Sequence, residues 1–343
     1  MASRRRTIFS FPQSVSEQIL KNVPLSELFE ISLLSKRAFA LIKNIPMPEC
    51  EFEVVLSASS TVYGFYGIGM VKWHFYDKRD SGRLDLEDLK TRTVIVSDGE
   101  SGTLAFAKIS DNCYGCRYDS IQDAIQFIQW LCSLFNDNVV KLTVESAQFQ
   151  HLKAVQSVEA LKKTREVLIM YGTVSQEEMV QVIEGFESKM LQIYCDPGPN
   201  FTYDRPICFR NIQVLTGSWV KGPMLLNFQS EHVTVMNVDV TEEDAVAFLI
   251  RMLENQDGCG NVCTAVFYRV PNESEYVYDN RPVKTWVLDK ITNAEISFEQ
   301  EIPPTNPDNL RRFWSKNRTN FIDVKTYPGE PEALSLLKDG RDL

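Results

Sequence analysis

Two cysteine pairs have the spacing in this chain that could do chemistry. Cys113, Tyr114, Gly115 and Cys116 form a Cys-x-x-Cys run, and Cys259 and Cys263 lie far downstream with three residues between them. Two thiolates that converge on one point can hold zinc or shuttle electrons. Four-cysteine zinc sites usually keep their pairs closer in the chain, so ordinary thiols are the favoured reading, with a zinc or thiol protein using Cys113 and Cys116 as the chemical alternative. For redox work the pair is poorly placed, since Arg117 and Tyr118 separate it from a helix expected to begin near Ser120. His74, His151 and His232 are the only histidines, and they lie far apart in sequence. A general base needs a partner within hydrogen-bond reach, which this spacing does not suggest. The nucleophile-elbow, zinc-protease and phosphate-loop patterns are absent, and Gly64, Gly67 and Gly69 precede no helix start that could cradle a phosphate. The expectation is a protein that is not an enzyme, with no catalytic residue, metal or cofactor.

Composition narrows the partners. The chain has 343 residues, a formal net charge of −10 and a pI near 5.0. Such a balance repels phosphate backbones, so nucleic acid is not expected as a partner. Arg4, Arg5 and Arg6 form a short basic run, read as a solvated terminus. Residues 54–71 carry no charge over 18 positions, but three glycines and four hydroxyl side chains make them a strand-and-turn segment, not a membrane span. No secretory leader is expected, because Phe9, Ser10, Phe11 and Pro12 follow the basic run where an apolar core would stand. Eight cysteines do not form a small disulfide framework, and the sequons at Asn200, Asn272 and Asn317 are triplets that arise by chance. A cytoplasmic or nuclear location follows.

Helical periodicity opens the chain. Val15, Ile19 and Val23 fall four apart on one face, and Pro24 stops that helix. Ser26 and Glu27 open a second, with Leu28, Phe29 and Ile31, and residues 33–42 continue helically until Pro46 and Pro48. Three short helices in about 35 residues cannot bury much surface alone. Their apolar face needs a partner, or the rest of the same molecule, to cover it.

Residues 11–43 resemble an F-box. Phe11-Pro12 stands where that family has Leu-Pro; Val15, Ile19-Leu20, Leu25 and Leu28 follow in order, then the run from Ser32 to Arg37, with Phe39 near a position where many members carry tryptophan. The resemblance implies docking onto a Skp-type adaptor, and through it onto a cullin–RING ubiquitin ligase. Carried over by position, the adaptor-facing residues would be Pro12, Val15, Ile19, Leu20, Leu28, Leu33 and Ser35.

The remainder reads as α/β. Residues 51–56, 71–76, 93–96 and 103–109 are short β-branched and aromatic runs that predict a small antiparallel sheet. Ser120 with Asp123, Ser175 with Glu178 and Thr241 with Asp244 are helix-start signatures. The helices they open would bury Ile121, Ile125, Ile128, Cys132 and Phe135; Met179, Val182, Ile183 and Phe186; and Ala245, Phe248, Leu249 and Met252. Further helices are expected near residues 152–161 and 224–228. Apolar strands centre on Leu142, Leu168, Gln192, Gln213, Val235 and Val266, close to the 20–29-residue period of leucine-rich repeats. The fold expected is a three-helix start, a small antiparallel sheet and an irregular strand–helix, leucine-rich-repeat-like solenoid. The expected segments are 1–48, 49–112, 113–270 and 271–343, the last holding strands at 276–278, 285–288 and 321–325 and a loosely held polar tail from Pro328.

The region around the helix 127–135, and the block from Val233 to Glu254, resemble the F-box-associated domain of a large nematode family. That resemblance implies a substrate-recognition adaptor whose second domain binds a target protein, here unidentified. Phe201, Tyr203 and Trp219, in or beside the proline- and glycine-rich stretch 196–206, are candidate target-binding aromatics. The runner-up is a ligase-independent interaction scaffold whose helical start packs on its own body.

Overall fold

The structure, a computed structural model, describes residues 11–46, 50–77, 90–95, 101–118, 120–135 and 138–236, and thereafter 244, 247–248, 264–268, 310–314, 321–327 and 330–338. The chain divides into two compact units, Met1–Arg165 and Glu166–Leu343. The four segments expected from sequence are therefore cut differently: residues 113–165, placed above in the third segment, belong with the first unit.

Three helices open unit 1: α1 (Gln13–Leu20), α2 (Leu25–Ser32) and α3 (Lys36–Lys43). Pro12 and Pro24 precede the first two, where a missing N–H costs nothing, and Ser35 caps the third by accepting from Ala38 N at 3.1 Å. The strands β1 (Glu51–Leu56), β2 (Thr61–Tyr66) and β3 (Gly69–Asp77) form an antiparallel meander. β4 (Lys90–Ile95), β5 (Ser101–Ser110) and β6 (Cys113–Tyr118) form a second. Helix α4 (Ile121–Leu134) leads to β7 (Val139–Glu145), followed by a 3-10 turn and two short helices, α5 (Leu152–Gln156) and α6 (Glu159–Lys162).

The strand order in this unit is β7-β1-β2-β3-β6-β5-β4. The sheet is mixed, not purely antiparallel as expected. β6 lies parallel to β3, with Trp73 opposite Tyr114, and β7 lies parallel to β1, with Val54 opposite Leu142. Runs of β-branched residues announce strands but not which neighbour each finds. Helices α2 and α4 cover the face that carries Phe52, Trp73 and Tyr114, and these rings sit with Phe29 and Phe135 in a buried aromatic core.

Unit 2 runs β8 (Glu166–Thr173), α7 (Gln176–Gly185), β9 (Met190–Asp196), β10 (Asn211–Val214), a 3-10 turn, α8 (Gly222–Leu225), β11 (His232–Met236) and β12 (Thr264–Tyr268). β13 (Leu310–Trp314), β14 (Phe321–Tyr327) and β15 (Glu330–Lys338) complete it. From β8 to β12 the strands pair parallel in chain order, and β15, β14 and β13 extend the edge antiparallel. Val167, Leu191, Ile212 and Val233 alternate with less buried neighbours, so one face of each strand carries the core.

All six expected strand centres fall inside β7 to β12. The regular repeat between them does not appear. β9 and β10 are joined by a non-helical segment holding Pro197, Pro199 and Pro206, and α8 is only four residues long. The fold is thus mixed α/β. The expected loose tail is also corrected: β15 pairs along its length with β12 and β14, so backbone hydrogen bonds hold it. The expected strands at 276–278 and 285–288 lie outside the described residues, as does most of the helix expected after Thr241. Among the described residues no helix is long and apolar enough to cross a membrane.

Candidate partner-binding surfaces

Helix α1 buries only Ser16 and Leu20 of its eight residues. Val15 and Ile19, one turn apart, remain 41% and 43% exposed, and Phe11 one turn earlier is 37% exposed. The three side chains form an apolar strip on the helix and its entry. In the turn between α2 and α3, Leu34 is 68% exposed. Such a strip is the apolar surface that this helix leaves in water.

The seven residues expected to face an adaptor divide accordingly. Pro12, Val15, Ile19 and Ser35 are exposed and Leu33 is half-buried. Leu20 and Leu28 are fully buried in the chain's own core, which corrects their assignment. Leu20 shares a face with Ser16, turned away from Val15. Leu28 sits on the face of α2 that also buries Leu25, Phe29 and Ser32. The hydroxyl of Ser35, though exposed, is engaged as the cap of α3. Leu34, missed in the sequence reading, is more exposed than Phe11, Val15 or Ile19; a leucine in the turn between two helices gave no periodic signal of its own.

What seals α2 is aromatic. The Phe29 ring lies 4.9 Å from Tyr114, 5.5 Å from Trp73 and 5.7 Å from Phe106, each edge-on. Trp130 of α4 adds a further edge contact with Phe29 and stacks on Phe39 of α3 at 5.6 Å. At the rim, Tyr114 Oη donates to Glu30 Oε1 at 2.8 Å, and Lys108 Nζ reaches the same oxygen at 3.1 Å. Burial, and then Glu30, pushes the Tyr114 hydroxyl well above its ordinary pKa, so it stays a donor.

The chemical alternative fails on geometry. Cys113 and Cys116 lie in β6, where residues three apart point to opposite faces, so the two sulfurs cannot converge. Cys116 is fully buried, and burial raises its thiol pKa far out of the thiolate range. Cys259 and Cys263 lie outside the described residues. No cluster of three His, Cys, Asp or Glu that could hold a metal occurs among the described residues. The histidines stay on separate elements: His74 in β3 with Nδ1 3.1 Å from Thr61 Oγ1, His151 at the 3-10 turn, His232 in β11. Gly64, considered above for phosphate, lies mid-strand beneath α2.

In unit 2 the candidate aromatics also divide. Phe201 and Trp219 are core residues, packed edge-on at 5.4 Å, and present no free surface. Aromatics in a proline-rich stretch look exposed in sequence, but here the stretch folds back over the sheet. Tyr203 instead lines a cleft of about 430 Å³. Its hydroxyl donates to Glu184 Oε1 at 3.1 Å, and Arg205 pairs with that same oxygen while lying over the Tyr203 ring at 5.5 Å. Burial first, then the Glu184 carboxylate, pushes the Tyr203 hydroxyl up to about 12. Ile183, Phe186 and Phe209 give the cleft its apolar lining, and the exposed thiol of Cys208 lies on its rim.

Comparison with protein-family models, with curated proteins and with solved structures finds no match.

Proposed function

We propose that this chain is a non-enzymatic substrate receptor of a ubiquitin ligase. It docks on a Skp-type adaptor through the apolar strip of α1 and presents a target protein, held by unit 2, to the cullin–RING assembly. The observation that carries this reading is the strip Phe11, Val15 and Ile19, with Leu34, left exposed on an N-terminal three-helix module whose sequence follows the F-box pattern. Such a receptor makes no bond itself. It contributes proximity, raising the local concentration of target lysines near the loaded conjugating enzyme. Work of this kind belongs in the cytoplasm or nucleus.

The burial of Leu20 and Leu28 favours a second reading, in which the helices are only a cap on unit 1 and recruit no ligase. Capture of a purified Skp-type adaptor by the full chain separates the two. Burying a valine or isoleucine side chain is worth about 1.5–3 kcal/mol, roughly tenfold or more in affinity each. The double variant Val15→Asp/Ile19→Asp is therefore expected to lose capture by more than about a hundredfold while its melting temperature stays near that of the parent. Capture that survives both substitutions would refute docking through α1, and a parent chain that captures no adaptor would leave the cap reading in place.

A further inference from the structure

The cleft at Tyr203 is held open by bonds that do not depend on any ligand. Asn227 Nδ2 donates to Tyr203 O at 2.6 Å, Ser230 Oγ donates to Ile207 O at 3.1 Å, and Phe209 N donates to Ser230 Oγ at 3.1 Å. The stretch from Tyr203 to Phe209 is therefore pinned at both ends before anything binds, which lowers the ordering cost of a ligand. Its volume lies in the range of small-ligand and side-chain pockets.

The rim selects by charge. Glu184 Oε1 takes both the Tyr203 hydroxyl and the Arg205 guanidinium, which leaves Oε2 as an acceptor. A guanidinium carries five N–H donors, and Glu184 engages only one side of the fork. Both side chains keep solvent access, at 35% and 59% exposed. An anion approaching Arg205 meets Glu184, and a cation approaching Glu184 meets Arg205. A neutral group with a donor and an acceptor on one side satisfies both, and the N–H and C=O of a single residue in an extended peptide are such a pair. Beside it, the small exposed edges of Ile183, Phe186 and Phe209, otherwise buried, offer an apolar floor.

We propose that this cleft binds a neutral peptide segment, seating one apolar side chain on the Ile183, Phe186 and Phe209 floor and pairing that residue's amide N–H with Glu184 and its carbonyl with Arg205. The inference concerns unit 2 alone and needs no adaptor, so its failure and that of adaptor docking are read separately.

Cys208 supplies the test, because an exposed thiol on the rim can trap a weak ligand as a mixed disulfide. The full chain is equilibrated, under mild reductant, with two probes: N-acetyl-leucine and N-acetyl-glycine, each joined through an amide to cysteamine carried as a disulfide. Thiol exchange releases one cysteamine-type thiol for each protein adduct formed, and peptide mapping counts adducts at Cys208. The leucine probe is expected to exceed the glycine probe by about tenfold, the order that burying a leucine side chain provides. In the Glu184→Ala/Arg205→Ala variant, which keeps the net charge, capture of the leucine and glycine probes alike is expected to fall several-fold, because both carry the N–H and carbonyl that these side chains pair. Should that variant lose its melting transition, Arg205→Gln, which alters only the exposed guanidinium, is read in its place. Equal capture of the two probes by the parent chain, or capture of the leucine probe unchanged in the variants, would overturn the proposal. So would stronger capture of an O-phosphoserine probe than of the leucine probe.

Discussion

Burial lowers the proton affinity of His74, His151 and His232 alike; Lys72 adds to the effect at His74, and Arg210 adds to it at His232, where Glu231 opposes it. A histidine held neutral in the native state resists a proton that the unfolded chain accepts from about pH 6.5 downward. Stability is therefore complete above pH 6.5 and declines as the pH falls from there toward the depressed native values. The melting temperature is expected to drop between pH 7.5 and pH 5.5, and His74→Gln, which can still bond Thr61, is expected to reduce that drop. A melting temperature that is flat across the interval, or a slope untouched by His74→Gln, would contradict the assignment. These histidines were legible in sequence as isolated residues. The cysteines were not: a spacing of three converges in a loop or helix start and diverges in a strand, and only the pairing of β6 with β3 decided between them. Phe201 and Trp219 misled for a related reason, since a proline-rich stretch can still carry core side chains.

At the scale of elements, what repeats along the chain was readable. Both capping boxes that fall within the described residues formed as the sequence announced, Ser120 with Asp123 and Ser175 with Glu178. The strand centres were found because apolar residues recur at alternate positions, as Leu191 and Ile193 do on either side of Gln192 in β9. Close approach between elements left only an indirect mark, in Gly64. A Cβ built there would lie 2.9 Å from Leu25 of α2, 2.9 Å from Trp73 and 3.0 Å from Phe52. The glycine is the gap into which α2 settles on β2. Gly64→Ala is expected to cost about 1–3 kcal/mol in urea unfolding, the usual range for overpacking. Adding Leu25→Ala, which removes one of the crowded atoms, is expected to cost less than the sum of the two single changes. Strict additivity would mean that α2 does not rest on Gly64.

For the whole first unit, the open question was what covers the inner face of the N-terminal helices. Periodicity shows that a face is apolar and is silent about what meets it; the F-box resemblance favoured a foreign protein, with the chain's own body as the runner-up. In the structure Leu20, Leu28 and Phe29 are sealed inside, while Val15, Ile19 and Leu34 face out. This division makes the helices part of the unit's core and not a detachable arm. Removing residues 1–48 would strip Phe29 from Trp73 and Tyr114 and Phe39 from Trp130, and would leave Tyr114 without Glu30. Losing one buried phenylalanine alone typically costs about 3–5 kcal/mol, a large share of the 5–15 kcal/mol that stabilises a whole domain. The truncated chain is therefore expected to show red-shifted tryptophan emission and a lost or lowered first melting transition. Val15→Asp/Ile19→Asp, by contrast, is expected to match the parent in both. If the truncated chain kept native emission and melting, the helices would be separable after all, and the inner face assigned here to the core would again be available to a partner.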